Sequence, residues 1–153
     1  MALDAELNTT LLRTAEWLAG NNDPWWVLGS AAIALMDIDP RGIGDIDVLV
    51  SERDALALIK RHSLKNYSDG GTDRFRSNFF ILPVLGRYRV EVMAGYKIRQ
   101  ADKWAPVWPK TRIPVNISGT SLWVPEATEQ IEILRMLNRP KDLARAEQIE
   151  RAI

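Results

Sequence analysis

The sequence predicts an α+β fold in which a mixed β-sheet is flanked by helices. Three observations lead there. Apolar residues recur at helical spacing near both ends, as in Leu7, Leu11, Ala15 and Leu18 and again in Ile131, Leu134 and Leu137. The middle instead alternates with a period of two, most clearly in Asp45-Ile46-Asp47-Val48 and in Val90-Glu91-Val92. The resulting order is helix, strand, helix, strand, helix, strand pair, loop, two helices, which suits a layered sheet-and-helix domain. With 153 residues and no internal repeat or long linker, the chain is expected to be one domain over 1–153, with a core at 25–124 and C-terminal helices at 126–153.

Residues 3–19 read as an amphipathic helix that Gly20 to Pro24 stops. Trp25 to Leu28 is a short buried strand, and Gly29-Ser30 opens an alanine-rich helix, Ala31 to Met36. A turn-rich stretch, Asp37 to Gly44, leads to the clearest strand, Asp45 to Val50. Glu52 to His62 is a helix with Ala55, Leu56 and Ile59 on its inner face, and 66–73 is a loop. Residues 75–82 and 87–93 form two strands around a turn at Pro83 to Gly86. Residues 96–114, interrupted by Pro106, Pro109 and Pro114, read as irregular. Val115–Ile117 and Ser121–Val124 form a hairpin around Gly119-Thr120, and Glu126 to Asn138 is a helix. Pro140 suits the first turn of a last helix that places Leu143, Ala146, Ile149 and Ile153 inward.

Composition narrows the function classes. The chain is 46% hydrophobic and 26% charged, as globular domains are. Twenty basic residues balance twenty acidic ones, so a protein that tracks a nucleic-acid backbone is disfavoured, although a tRNA acceptor stays open. The absence of cysteine excludes disulfides, thiolate metal sites and cysteine nucleophiles. The longest mainly apolar run, Val27 to Met36, is half of what a membrane helix needs, and the N-terminus lacks signal-peptide character. A cytoplasmic protein is the expectation.

Two features can carry chemistry. Asp45 and Asp47 are two apart on one strand, so both carboxylates project from one face, about 6.6 Å apart. Glu91 repeats the pattern on a later strand. If the strands are neighbours, three carboxylates converge and demand a compensating hard cation, Mg²⁺ or Mn²⁺. The other reading is two solvent-facing acids and an unrelated Glu91 paired with Arg89 or Lys97. Gly29-Ser30, at a strand-to-helix turn, can admit a phosphate to helix N–H groups, or can be an ordinary turn with Ser30 as cap. There is no Walker lysine and no GxGxxG. Trp104 and Trp108 lie in the irregular segment, which is expected to border the cleft beside Glu91.

Taken together, the strand, Gly29-Ser30, the helix, fourteen spacer residues, Asp45-Ile46-Asp47 and a later acid resemble the nucleotidyltransferase superfamily with the polymerase-beta-type catalytic domain. Residues 129–143, with Arg139-Pro140-Lys141-Asp142, look like the Arg-x-Lys-Asp element of small bacterial members, which include abortive-infection-type toxins and antibiotic-modifying enzymes. The resemblance covers about residues 25–143. The chain departs from the family pattern at Ile43, at Glu91 in place of Asp, and at Arg145-Ala146.

The resemblance implies the nucleotidyltransferase fold and transfer of a nucleoside monophosphate from an NTP to an acceptor hydroxyl. It makes Asp45, Asp47 and Glu91 the metal and catalytic residues, with two Mg²⁺ ions, or Mn²⁺. Gly29, Ser30, Arg41 and Lys141 become nucleotide contacts. With no metal bound, Glu91 is expected to bond Arg89 or a water. Two alternatives stand beside this: a non-catalytic nucleotide- or partner-binding domain of the same fold, and the toxin of a toxin–antitoxin pair. The sequence names neither the acceptor nor the oligomeric state.

Overall fold

The computed structural model describes residues 3–153. Helix α1 (Ala5–Leu18) begins where the Asp4 carboxylate accepts the Leu7 amide at 2.7 Å. The heptad-like apolar set Leu7, Leu11, Ala15 and Leu18 is buried, as its spacing requires. Strand β1 (Trp26–Leu28) runs straight into α2 (Gly29–Leu35), and β2 (Asp45–Leu49) follows the turn-rich stretch. Helix α3 (Glu52–His62) is capped by Ser51, whose hydroxyl accepts the Asp54 amide.

Strands β3 (Phe75–Arg76), β4 (Phe79–Ile81) and β5 (Arg89–Ala94) come next, then β6 (Lys97–Gln100) and β7 (Lys103–Pro106). The hairpin β8 (Ile113–Ile117) and β9 (Thr120–Val124) precedes α4 (Ala127–Leu137) and α5 (Pro140–Ala152).

The central sheet has the order β1-β2-β5-β4. Strands β2 and β5 are parallel, and the two outer pairs are antiparallel, so the sheet is mixed. Its period-two pattern divides the molecule. Ile46, Val48, Val90 and Val92 enter one core with α1 and α3, at exposures of 0–1%. Trp26, Leu28 and Leu49 enter a second apolar cluster with Tyr96, Ile98, Val107 and Leu137. Helices α4 and α5 pack on α2 through Ile33, Ile131, Leu134, Ala146 and Ile149. Among the described residues no helix is long and apolar enough to cross a membrane.

Four local expectations need correction. The strand at 75–82 is broken, because β3 pairs with β6 in a second sheet while β4 pairs with β5. Residues 97–106 are not irregular but form the β6–β7 hairpin. Only Ile98 of β6 is fully buried, so this hairpin has almost no apolar alternation to read. On α3, Leu56 is exposed and Leu58 takes the inward position beside Ala55. On α5, Leu143 and Ile153 are exposed, and Ala146 and Ile149 alone carry the packing.

Gly95 makes the bend that separates the two sheets. Its φ is +63°, and a Cβ there would stand 2.7 Å from Asn78 Nδ2 and 2.9 Å from Glu52 Oε1. Asp54 is another internal device. It is 1% exposed, and its two carboxylate oxygens accept the Asn22 and Asp23 amides at 2.9 and 2.8 Å. It thereby ties the α1–β1 turn to α3. Asp54→Ala leaves both amides without that acceptor, and urea unfolding should show a loss of roughly 1–3 kcal/mol.

Candidate active site

The parallel pairing of β2 with β5 sets Asp47 and Glu91 as direct register partners, and Asp45 opposite Arg89. Adjacent strands lie about 4.8 Å apart, so like-facing carboxylates on them must meet. One oxygen from each of Asp45, Asp47 and Glu91 lies within 4.8 Å of the other two. All three are half-buried, on the face opposite Ile46, Val48, Val90 and Val92.

The β1–α2 turn meets this cluster because antiparallel pairing places Leu28 beside Asp47. Gly29 follows, with φ +67°, and a Cβ on it would stand 3.0 Å from Asp47 Oδ2. Glycine therefore serves here twice, for a left-handed backbone and for the room that the carboxylate occupies. Ser30 is buried, and no side chain caps the start of α2.

These groups line one cleft of about 340 Å³. Gly29, Ser30 and the three acids form one side, and Arg139, Lys141, Asp142 and Arg145 of the α4–α5 corner form another. Tyr96 and Phe75 close a third. A larger open groove of about 910 Å³ lies along α1, but none of the three acids lines it.

Charge crowding dominates the electrostatics. Burial, then the charges of Asp45 and Glu91, push the Asp47 carboxyl up to about 7, against the partial relief of Arg139 and Arg145. Glu91 is raised by burial and by Asp45, while its ion pair with Arg89 opposes the shift. Arg89 Nε donates to Glu91 Oε2 at 2.8 Å. Burial and the Asp47 charge likewise raise the Tyr96 phenol.

The structure brings together Asp45, Asp47, Glu91, Gly29, Ser30 and Lys141. Arg41 stands apart: it is exposed on the turn before β2, its φ is +57°, its amide bonds Asp39 Oδ1, and it does not line the cleft. Nor do Trp104 and Trp108 line it. Trp108 packs edge-on against Trp26 at 4.7 Å, and Trp104 stacks under Arg76 at 4.1 Å. No residue of 97–114 lines this cleft, so the expectation that Trp104 and Trp108 form its wall is not met.

Sequence reasoning missed Tyr96, Phe75 and the full part of Arg139. Arg139 grips buried Asp142 through two bonds, 2.6 and 3.1 Å, and its guanidinium lies 5.3 Å from the Phe75 ring. The three-residue spacing of Arg139 and Asp142 across Pro140 was a readable signal for that cap. Nothing local marks Tyr96, since its place depends on the bend before it.

The fold so described is that of the nucleotidyltransferases, and solved structures agree. TM1012 of Thermotoga maritima, a proposed nucleotidyltransferase, superposes with a TM-score of 0.75 at 20% identity, over 99% of this chain and 94% of its own. An antigenic nucleotidyltransferase-like protein of Paracoccidioides brasiliensis gives 0.59 at 18% identity, over 96% and 76%. The antibiotic-resistance factor ANT(2'')-Ia, crystallised with adenylyl-2''-tobramycin, gives 0.58 at 14% identity, over 95% and 88%. No protein-family model matches the chain, and no curated protein matches it in sequence.

The raised Asp47 pKa has a stability consequence. The folded chain binds this proton more tightly, at about 7 against 3.8 for the ordinary carboxyl. The contribution is therefore complete below pH ~4 and is lost as pH rises through about 7. Asp47→Asn should be the more stable protein at pH 8, by on the order of 2–4 kcal/mol without divalent metal, and the gap should close near pH 4. Thermal melts at the two pH values measure it.

Proposed function

We propose that the protein is a metal-dependent nucleotidyltransferase that moves a nucleoside monophosphate from an NTP to an acceptor hydroxyl. The observation that carries this reading is the convergence of three carboxylate oxygens within 4.8 Å beside the Gly29-Ser30 turn. Three hard anionic donors at one point fit Mg²⁺, or Mn²⁺. The fold relative ANT(2'')-Ia holds a nucleotidylated hydroxyl product, adenylyl-2''-tobramycin, which supports the same class of transfer here.

In this mechanism Asp45, Asp47 and Glu91 hold the divalent metal, as one or two ions. When bound, the metal neutralises triphosphate charge and lowers the pKa of the acceptor hydroxyl. Gly29 and Ser30 receive the β- and γ-phosphates at the backbone, and Lys141, Arg139 and Arg145 offset their charge from across the cleft. The acceptor oxygen bonds to the α-phosphorus as the α–β bridging bond breaks. Pyrophosphate leaves with the electron pair, and Glu91 takes the hydroxyl proton. Such in-line displacement asks the protein mainly for positioning and charge compensation.

Incubation with Mg²⁺ and α-labelled NTPs tests the reading, with label transferred or pyrophosphate released as the readout. Glu91→Gln should abolish both while its melting temperature and circular dichroism stay native. Transfer at wild-type rate by that variant would remove Glu91 from the chemistry. Calorimetry with a non-hydrolysable NTP should show Ser30→Ala weakened by roughly 1.5–3 kcal/mol. Gly29→Val should bind still less, because its branched side chain meets Asp47.

A further inference from the structure

A second hollow of about 390 Å³ adjoins the cleft and shares Phe75, Glu91, Met93 and Tyr96 with it. It sits on the sheet face that carries the acids. Along β5, Glu91 and Met93 share that face by their spacing of two, and Met93 is the register partner of Phe80 on β4. Phe80 and Leu82 therefore continue the carboxylate face as an apolar floor.

The outer wall is the 66–72 loop, and it is built rather than loose. Asn66 Oδ1 accepts the Phe80 amide at 3.0 Å, the Tyr67 amide donates to the Phe80 carbonyl at 2.8 Å, and the Ser68 hydroxyl donates to the Ser77 carbonyl at 2.6 Å. Tyr67 stands 48% exposed at the rim. An open hollow with an aromatic floor and a polar edge, next to reactive groups, has the composition of a ligand site.

We propose that this hollow binds the acceptor, and that the acceptor is a neutral or anionic hydroxyl compound carrying a ring. The proposal rests on the nucleotidyl-transfer reading above. Two hollows touch Glu91, and the one with Gly29-Ser30 and the three cations of the α4–α5 corner suits the triphosphate. With the triphosphate in the cleft, an acceptor in this hollow would bring its hydroxyl up beside Glu91, the residue assigned its proton. Tyr67, Phe75 and Phe80 bring three aromatic rings to its lining, and Lys65 Nζ lies 4.9 Å from the Tyr67 ring.

Charge selects the class. Arg89 and Arg76 line the hollow with two acids, Asp69 and Glu91, and Glu91 is the one that the metal would claim. Such a wall disfavours a polycationic aminosugar and accepts a neutral or anionic body. The group-transfer step is unchanged: the acceptor oxygen gains the nucleotidyl group, pyrophosphate leaves, and the proton passes to Glu91.

The test uses the full chain saturated with Mg²⁺ and a non-hydrolysable ATP analogue. Three probes are titrated: 4-nitrophenyl β-D-glucoside, 4-nitrophenyl β-D-glucuronide and tobramycin. Calorimetry reads affinity, and the shift of the labelled Leu82 methyls, which line the hollow and not the cleft, reads location. We expect at least one aryl glycoside to bind and to shift Leu82, with tobramycin at least tenfold weaker. Tyr67→Ala, on the half-exposed loop, and Phe80→Ala, on the edge strand, should each weaken that binding tenfold or more while ATP-analogue affinity stays within twofold. Tighter binding by tobramycin, or failure of both aryl glycosides, overturns the proposal. A tenfold loss of ATP-analogue affinity in Tyr67→Ala places the base in the hollow and also overturns it, with nucleotidyl transfer left standing. If the wild-type chain binds no Mg²⁺–ATP analogue, the transfer reading itself fails and the acceptor site falls with it.

Discussion

The in-register parallel pairing of β2 and β5 is the constraint on which the site depends. It places Asp47 directly against Glu91, one strand away, and leaves Asp45 two residues along the same face. Here the ladder between the two strands is what holds the carboxylates close against their repulsion. The ladder is anchored from behind, where Ile46, Val48, Val90 and Val92 pack with α1 and α3. A one-residue slip would send the acids into that core and the valines into the cleft, so packing energy selects the register that costs electrostatic energy. The raised proton affinity of Asp47 is that cost made visible.

The opposite face is covered only partly, and the cover shapes the chemistry. Tyr96, Leu137 and Trp26 join Leu49 in a second apolar cluster, of which Tyr96 and Leu137 also line the cleft. The α4–α5 corner then delivers Arg139, Lys141 and Arg145 to its edge. Asp142 is spent on orienting Arg139 rather than on adding a fourth acid to the cluster. The corner thus brings positive charge to a concentration of negative charge, an arrangement that suits a ligand carrying both metal and phosphate.

Much of this was legible in the residues. Asp45-Ile46-Asp47-Val48 and Val90-Glu91-Val92 state their facing by alternation alone, and Gly29 between a buried strand and an alanine-rich segment announces a special turn. The bounds of α3, Glu52–His62, match those read from the sequence. Other residues misled for identifiable reasons. Leu56 and Leu143 are apolar but lie off the narrow stripe that each helix buries. The β6–β7 hairpin is mostly polar and exposed, so its strands are held by the ladder and by Ile98 rather than by a pattern. Arg41 lies near Asp45 in sequence, yet the left-handed turn at 41 leaves it exposed and off the cleft.

By itself the sequence determined the element types, the facing of each acid along its own strand, and the special turn beside them, because these depend on local periodicity and on backbone freedom. Tertiary structure alone decided that β2 and β5 are neighbours, that they run parallel, and that Asp47 meets Glu91 rather than Asp45 opposing it. Those facts depend on contacts between segments about 40 residues apart, and no local pattern encodes such contacts. The same holds for Tyr96 and Phe75. They reach the cleft because Gly95 bends the chain out of one sheet into another, and the space that permits this bend is set by Asn78 and Glu52 from distant elements.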